Sequence, residues 1–126
     1  MVASIASGAT TEAVGVGIYM GNACATLRSG EAVCWGGNGS GQAGVDSTER
    51  QILTPTPVAR TKDAAVTAMG PYALFRSGFH FACGLHRSGQ LSCTGQTPPA
   101  GGIMGLGARR TRTPAPVAAF RLAPVQ

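Results

Sequence analysis

The chain repeats one stretch, Ala23-Cys24-Ala25-Thr26-Leu27-Arg28-Ser29-Gly30-Glu31-Ala32-Val33-Cys34-Trp35-Gly36. Fifty-nine residues later it reads Ala82-Cys83-Gly84-Leu85-His86-Arg87-Ser88-Gly89-Gln90-Leu91-Ser92-Cys93-Thr94-Gly95. The segment Thr-Pro-Thr-Pro-Val-Ala at 54–59 returns as Thr-Pro-Ala-Pro-Val-Ala at 113–118, at the same offset. Self-similarity at a fixed period is typical of repeat proteins. The sequence therefore predicts two repeats, residues 1–61 and 62–126.

Each copy of the stretch predicts a β-hairpin, at residues 23–35 and 82–94. In the first, a three-residue loop, Arg28-Ser29-Gly30, places Leu27 opposite Glu31. The glycine suits the left-handed position of such a loop because it has no Cβ. We expect the second hairpin to have the same register, since its turn lies at the same offset.

Counting outward from the turns places Cys24 opposite Cys34 and Cys83 opposite Cys93. Both pairs fall on non-hydrogen-bonded positions, where side chains come closest and a disulfide can form. Free thiols and a four-thiolate zinc site are the alternatives. Zinc sites favour cysteines two to four residues apart, whereas these are ten apart, so the spacing favours disulfides.

Composition predicts an all-β protein with many turns. The 126 residues include 19 Gly and 8 Pro, with 44% hydrophobic and 12% charged residues, enough apolar material for a core. The net charge is +5, but the usual nucleic-acid-binding motifs and a continuous basic face are missing, which argues against nucleic acid as a partner. No apolar run is long enough for a membrane span, and no signal peptide is visible. We therefore expect either a protein that is not exported or a mature or excised piece of an exported one. The cysteines favour the mature or excised piece.

Several segments predict further strands. Val14, Val16 and Ile18 alternate with small residues, which indicates a strand with one buried face. Residues 45–54 are typical of an exposed loop, and the prolines of 54–59 favour an edge strand. The other strand candidates are 2–8, 64–69 and 72–75.

The glycine-rich segment after the first hairpin carries a specific motif. It matches the Trp-Gly-x-Asn-x-x-Gly-Gln-x-Gly core of the regulator of chromosome condensation repeat at Trp35, Gly36, Asn38, Gly41, Gln42 and Gly44. The segments 55–58 and 80–83 resemble the same repeat. Two departures stand out: Asn22 lies in or near the place of the family histidine, and the second copy lacks the Trp-Gly motif. The paired cysteines resemble those of the bacterial, exported branch of the family.

The resemblance implies an all-β fold of four-stranded antiparallel β-propeller blades, one per repeat. The family forms a seven-bladed ring, which two repeats cannot close. The chain is therefore expected to be a fragment, a divergent remnant or one protomer of a larger assembly. The resemblance also implies that Trp35 belongs to the blade-packing core, with a solvent-facing binding role as the alternative, and that the His80 imidazole bonds the backbone of a neighbouring strand.

We expect no catalytic, cofactor or metal site. His86 lies beside a turn and is expected to be exposed, and no nucleophile motif accompanies either histidine. The glycine-rich segment 101–107 lacks the Lys-Ser/Thr of a phosphate loop. Three arginines, Arg109, Arg110 and Arg112, form either a solvated loop or a partner-binding patch.

The function predicted is that of a non-catalytic repeat module that binds a protein or glycan through its blade loops. Two alternatives stay open: a regulatory module that promotes nucleotide exchange on a small GTPase, and accessory repeats of a larger enzyme. The paired cysteines favour an extracellular or cell-envelope location. Self-assembly or further blades outside this chain could complete the ring.

Overall fold

Two four-stranded antiparallel sheets make up nearly all the regular structure of the computed structural model, which describes residues 12–19, 21–78, 80–96 and 111–121. The first sheet contains β1 (Ala13–Tyr19), β2 (Asn22–Leu27), β3 (Ala32–Gly37) and β4 (Gln51–Pro57). The second contains β5 (Tyr72–Ser77), β6 (Phe81–His86), β7 (Gln90–Gly95) and β8 (Thr111–Arg121). In each sheet the strands lie side by side in chain order. A 3-10 turn (Arg60–Lys62) and a short helix, α1 (Ala64–Ala68), connect the two sheets, which we call the first and second blades.

The two hairpins have the register that the sequence predicts. Cys24 lies opposite Cys34 and Cys83 opposite Cys93, with a Cα–Cα distance of 4.1 Å in each pair, and both pairs form disulfides. This short separation is that of non-hydrogen-bonded positions in an antiparallel ladder. The first turn closes with a 2.8 Å hydrogen bond from the backbone N–H of Leu27 to the carbonyl of Glu31.

The two blades share one apolar core. It includes both cysteines of the first bridge together with Tyr72, Phe75 and Ala82 of the second blade. Strand β5 lies against β2, and the hydroxyl of Thr26, which is fully buried, accepts a 2.9 Å hydrogen bond from the backbone N–H of Phe75. A polar side chain on β2 thus satisfies a backbone group of the neighbouring blade, and the pair fixes the position of one blade on the other.

Strand β1 forms where the alternating pattern predicts it, but the expectation that its apolar face is buried is wrong. Val14, Val16 and Ile18 are 51%, 49% and 73% exposed. The sheet packs on the opposite face, where Gly15 and Gly17 allow close approach: a Cβ on Gly17 would lie 3.3 Å from the Cα of β5 residue 76.

Two further expectations about the connecting segments are also wrong. Residues 64–69 were predicted as a strand, but they begin with α1, whose N-cap Asp63 accepts a 2.8 Å hydrogen bond from the backbone N–H of Ala65. This cap and the alanines favour the helix over the strand. The predicted loop 45–54 ends early, because β4 begins at Gln51. As the prolines predict, β4 is an edge strand, since among the described strands it pairs only with β3.

The predicted strand 2–8 lies outside the described residues. The repeat boundary between residues 61 and 62 falls inside the 3-10 turn, and the division into two units at that point stays a prediction. None of the described helices is long and apolar enough to cross a membrane.

Candidate functional site

The loop that follows the first hairpin is held by the side chain of Asn38, which is only 1% exposed. Its amide nitrogen donates to the carbonyls of Ser47 and Glu49, at 3.1 and 3.0 Å. Its Oδ1 accepts a 3.1 Å hydrogen bond from the backbone N–H of Ala43. One side chain therefore bonds both ends of the loop, and it replaces the backbone pairing that an irregular segment lacks.

Two glycines of the motif occupy positions that no other residue can take without strain. Gly36 has a φ of 95°, and a Cβ there would lie 2.3 Å from the carbonyl oxygen of Gly21. Gly41 has a φ of 78°, and a Cβ there would lie 2.5 Å from the carbonyl oxygen of Thr111 on the second blade. The positive φ angles and these close contacts explain why the motif has glycine at both positions.

The same loop contacts the second blade through polar bonds. The hydroxyl of Thr94 donates to the carbonyl of Gly41 at 2.9 Å. The guanidinium of Arg112 donates to the carbonyl of Ser47 at 3.1 Å, and the Arg112 carbonyl accepts from the backbone N–H of Asp46 at 3.3 Å. The motif loop therefore joins the blades, and Arg112 serves this contact.

The remaining motif residues make contacts within and around the same loop. Trp35 is half-buried and packs against both the core shared by the two blades and a smaller apolar cluster of the first blade. Gln42 is 8% exposed, and its Oε1 accepts a 2.8 Å hydrogen bond from the backbone N–H of Ser40. The Gly44 carbonyl accepts from the N–H of Ala59, at 2.8 Å. In the first blade Asn22 donates from its amide to the carbonyl of Gly37, at 3.0 Å.

The outer surface of the loop borders an open groove of ≈ 380 Å³. Its lining includes Ser40, Arg50, Gln51 and His80, which are all polar. Arg50, Gln51 and His80 are exposed, and Ser40 is half-buried. His80 has a φ of 64°, the conformation that Gly21 adopts at the equivalent position of the first blade. The groove thus presents hydrogen-bonding groups and a cation on a loop fixed by Asn38.

His86 is the buried histidine, and the expectation that it is exposed is wrong. It is 0% exposed, with Nδ1 2.8 Å from the carbonyl of Gly70 and Nε2 2.8 Å from the hydroxyl of Ser92. Because a carbonyl only accepts, Nδ1 carries the proton and Nε2 accepts from Ser92. The Tyr72 hydroxyl lies 3.4 Å from the same serine oxygen, and its ring lies 4.4 Å from the imidazole.

Burial lowers the pKa of His86, and the positive charge of Arg60 acts in the same direction against the raising effect of the hydrogen bond to Gly70. Burial also raises the pKa of Tyr72 to about 12, although its hydrogen bond to Ser92 opposes the shift. A serine hydroxyl bonded to a neutral imidazole is the geometry of an activated nucleophile. Ser92 is nevertheless 0% exposed, so in this structure its hydroxyl bonds only with groups inside the second blade.

The other predicted site residues are the four cysteines and two arginines. The cysteines form the two bridges described above, and Arg109 and Arg110 lie outside the described residues. Within the described part of the chain, no group of three or more His, Cys, Asp or Glu side chains could hold a metal ion. The hydrogen-bonded chain Tyr72–Ser92–His86 was not predicted from the sequence. It could have been found from the repeat, because the apolar Leu27 and Val33 of the first blade are replaced by the polar His86 and Ser92 in the second.

Comparison with known proteins rests on structure, since no family model and no curated protein matches the chain. Prp20p from Saccharomyces cerevisiae superposes with a TM-score of 0.69 and 18% identity, over 87% of this chain and 26% of that one. Its complex with Kap60, described as yeast RCC1 (Prp20), gives a TM-score of 0.67 at the same identity and coverage. Human WBSCR16 gives 0.63 and 15% identity, over 82% of this chain and 24% of that one.

The resemblance that the motif predicts is therefore confirmed as a likeness of fold: the chain forms two blades of a β-propeller like that of RCC1. It spans about a quarter of the length of the structures it matches. The assignment to a bacterial, cysteine-paired branch stays a prediction.

Proposed function

We propose that this chain is a non-catalytic, protein-binding β-propeller module that contacts its partner through the groove beside the motif loop. The observation that carries this proposal is the fixed polar surface formed by Ser40, Arg50 and His80 around the loop that Asn38 holds. Loops positioned by a rigid scaffold are where binding groups of such folds concentrate. Because the loop is already ordered, binding requires little further loss of conformational entropy.

Charge favours an acidic protein segment as the ligand. The chain carries a net charge of +5, and the guanidinium of Arg50 can form paired hydrogen bonds with a carboxylate. The solved structure of Prp20p is described with its binding properties to Gsp1p and histones, which supports proteins as a ligand class for this fold. The attraction between a basic groove and an acidic segment weakens as salt screens it.

The two disulfides support an oxidising location, extracellular or in the cell envelope. Such bridges persist outside reducing compartments, and both close hairpins whose cysteines lie directly opposite each other. In this setting the module presents its groove to an extracellular or envelope protein.

The experiment is selection of a phage-displayed random peptide library on the oxidised chain, followed by affinity measurement with the selected peptides. We expect peptides rich in Asp and Glu, a loss of about tenfold in affinity for Arg50→Glu, in the range of a charge-pair reversal, and weaker binding at high salt. Arg76→Glu is the matched control, because Arg76 is exposed on β5, outside the groove.

Other results would contradict this function. Binding on a glycan array with no peptide selected would show a glycan-binding module. Faster release of labelled nucleotide from a small GTPase, tested with Gsp1p, would support the regulatory alternative. Equal losses for Arg50→Glu and Arg76→Glu would show that net charge acts without a defined groove.

A further inference from the structure

The two blades leave two apolar faces without a covering element, one at each end of the described structure. The first is the face of β1 formed by Val14, Val16 and Ile18, which are between 49% and 73% exposed. We call it the β1 face. Its valines and isoleucine occupy alternate positions, so all three project from one side of the strand. Such a continuous apolar strip is typical of an interaction surface.

The second uncovered face lies on β6. All six residues of β2 are buried, whereas burial in β6 alternates, with Phe81, Cys83 and Leu85 only half-buried. We call these three residues the β6 face. The difference has a simple cause: β5 covers β2, with Ser77 and Phe75 bonded to Cys24 and Thr26, and no described strand covers the equivalent side of β6.

The repeat shows how these two faces fit each other. At the 59-residue offset, Val16 and Ile18 of β1 correspond to Phe75 and Ser77 of β5. The β2 residues that receive β5 correspond in the same way to residues of the β6 face, Thr26 to Leu85 and Cys24 to Cys83. The strand-on-strand packing that joins the two blades would therefore be reproduced, without its two side-chain hydrogen bonds, if the β6 face of one copy met the β1 face of another.

Side-chain size and polarity at these positions are compatible with that contact. Between the blades, the small, polar Thr26 accepts a hydrogen bond from the backbone N–H of Phe75, whose large side chain lies in the shared core. Between copies, the smaller Val16 would meet the larger Leu85, so the two side chains together fill a similar space. The polar Ser77 would be replaced by Ile18, next to Cys83 in place of Cys24. Both uncovered faces are thus more apolar than their counterparts in the covered interface, which suits hydrophobic burial between molecules.

We infer that copies of this chain associate head to tail, with the β6 face of one copy packed on the β1 face of the next. This inference is independent of the groove beside the motif loop. The contact joins two different surfaces, so it extends from copy to copy until a ring closes. Propellers have four to eight blades, which corresponds to about two to four copies of a two-blade chain.

The experiment is sedimentation velocity of the oxidised chain over a range of micromolar concentrations, with three variants. We expect the wild type to exceed the 12.7 kDa monomer as concentration rises. Val16→Glu disables the β1 face and Leu85→Glu disables the β6 face, so each alone should be monomeric. Leu53→Glu is the matched control; Leu53 lies on the edge strand β4 and is 87% exposed, so this variant should assemble like the wild type.

Mixing the two monomeric variants tests the head-to-tail geometry directly. Each retains one functional face, so the mixture should form a dimer of twice the monomer mass, in which the intact β6 face of Val16→Glu meets the intact β1 face of Leu85→Glu. If Leu85→Glu does not fold, as judged by near-ultraviolet circular dichroism, hydroxyl-radical footprinting of the wild type replaces it. We then expect Val16 and Leu85, but not Leu53, to become protected with rising concentration.

Three results would overturn the inference. The wild type could remain at 12.7 kDa at every concentration. The two folded face variants could stay monomeric when mixed, which would indicate a symmetric contact through one face. Leu53→Glu could abolish assembly as completely as Val16→Glu, which would indicate non-specific apolar association.

Discussion

Replacing the buried polar chain of the second blade by its counterpart in the first should remove most of the acid sensitivity of the protein. The double variant His86→Leu/Ser92→Val introduces the residues found at the equivalent positions, Leu27 and Val33, which form an apolar cluster in the first blade. Removing His86 and Ser92 together leaves neither of these two side chains without its partner. The Tyr72 hydroxyl and the Gly70 carbonyl do lose their bonds to them, which lowers stability at both pH values and leaves the difference between the two as the quantity to compare.

The magnitude follows from proton linkage. Burial lowers the pKa of His86 in the folded state, while the unfolded chain has the ordinary value of about 6.5. Between these values the unfolded state binds more protons, so stability is present above pH 6.5 and is lost as the pH falls. If the folded ring stays neutral, the free energy of unfolding decreases by about 1.3 kcal/mol between pH 7 and pH 5.5.

The assay is urea unfolding of the disulfide-intact protein at pH 7 and pH 5.5. We expect the wild type to lose up to this amount, the double variant to lose much less, and His80→Asn to behave like the wild type. The control removes the other histidine, which is exposed, and asparagine tolerates its left-handed backbone. If the double variant and the wild type lose the same free energy, His86 does not carry the acid sensitivity and the argument fails.

Three further predictions concern the tyrosine, the motif glycines and the disulfides. Folding raises the pKa of Tyr72 from 10.0 to about 12. The free energy of unfolding should therefore fall by up to about 2.7 kcal/mol as the pH rises from 10 to 12. Urea unfolding in alkali should show this loss for the wild type and much less for Tyr72→Phe. Gly36→Ala should lower the free energy of unfolding by more than about 1–2 kcal/mol, because the added Cβ meets the Gly21 carbonyl. Gly39→Ala has open space around it and should cost less than about 1 kcal/mol. Equal urea-unfolding midpoints for the two variants would contradict the steric argument. Mild reductant should open the Cys83–Cys93 bridge before Cys24–Cys34, because Cys83 is only half-buried while both cysteines of the first bridge are fully buried. Partial alkylation and peptide mapping give the order of reduction. Simultaneous reduction would show that the second blade does not protect the first bridge.

The hairpins and their bridges could be predicted because they depend on local rules. A three-residue loop fixes which residues face each other, and this register alone brings Cys24 to Cys34 and Cys83 to Cys93. The helix at Ala64–Ala68 was missed because five residues are too few for a periodic pattern, and the deciding feature was the cap at Asp63.

Burial was harder to predict than strand position, because it depends on which blade lies next to a strand. The alternation in β1 marks an apolar side correctly, yet the glycine side is the one that meets β5. For His86, proximity to the turn suggested exposure, while the partners that bury it, Gly70 and Tyr72, come from segments before β6.

The motif residues also show why function was less accessible than fold. Asn38 and Gly41 have structural roles, since the first bonds the loop to itself and the second allows contact with the other blade. The groups available to a ligand, such as Arg50, lie outside the motif, at positions that the fold leaves unconstrained. A match to the motif therefore identifies the scaffold, while in the function proposed here recognition depends on exposed residues around it.

Differences between the two copies at equivalent positions carry the information that the motif lacks. Where Thr26 is replaced by Leu85, a position that bonds a neighbouring blade becomes one that can only make apolar contact. Phe75 lies in the core, whereas the equivalent residue of the first blade, Val16, is also apolar but exposed. In each case the residue type matches the element that packs, or does not pack, against that position within the described structure. Comparing repeats at a fixed offset therefore predicts which surfaces of a repeat protein need a partner, because an apolar residue without an internal contact retains the preference for burial.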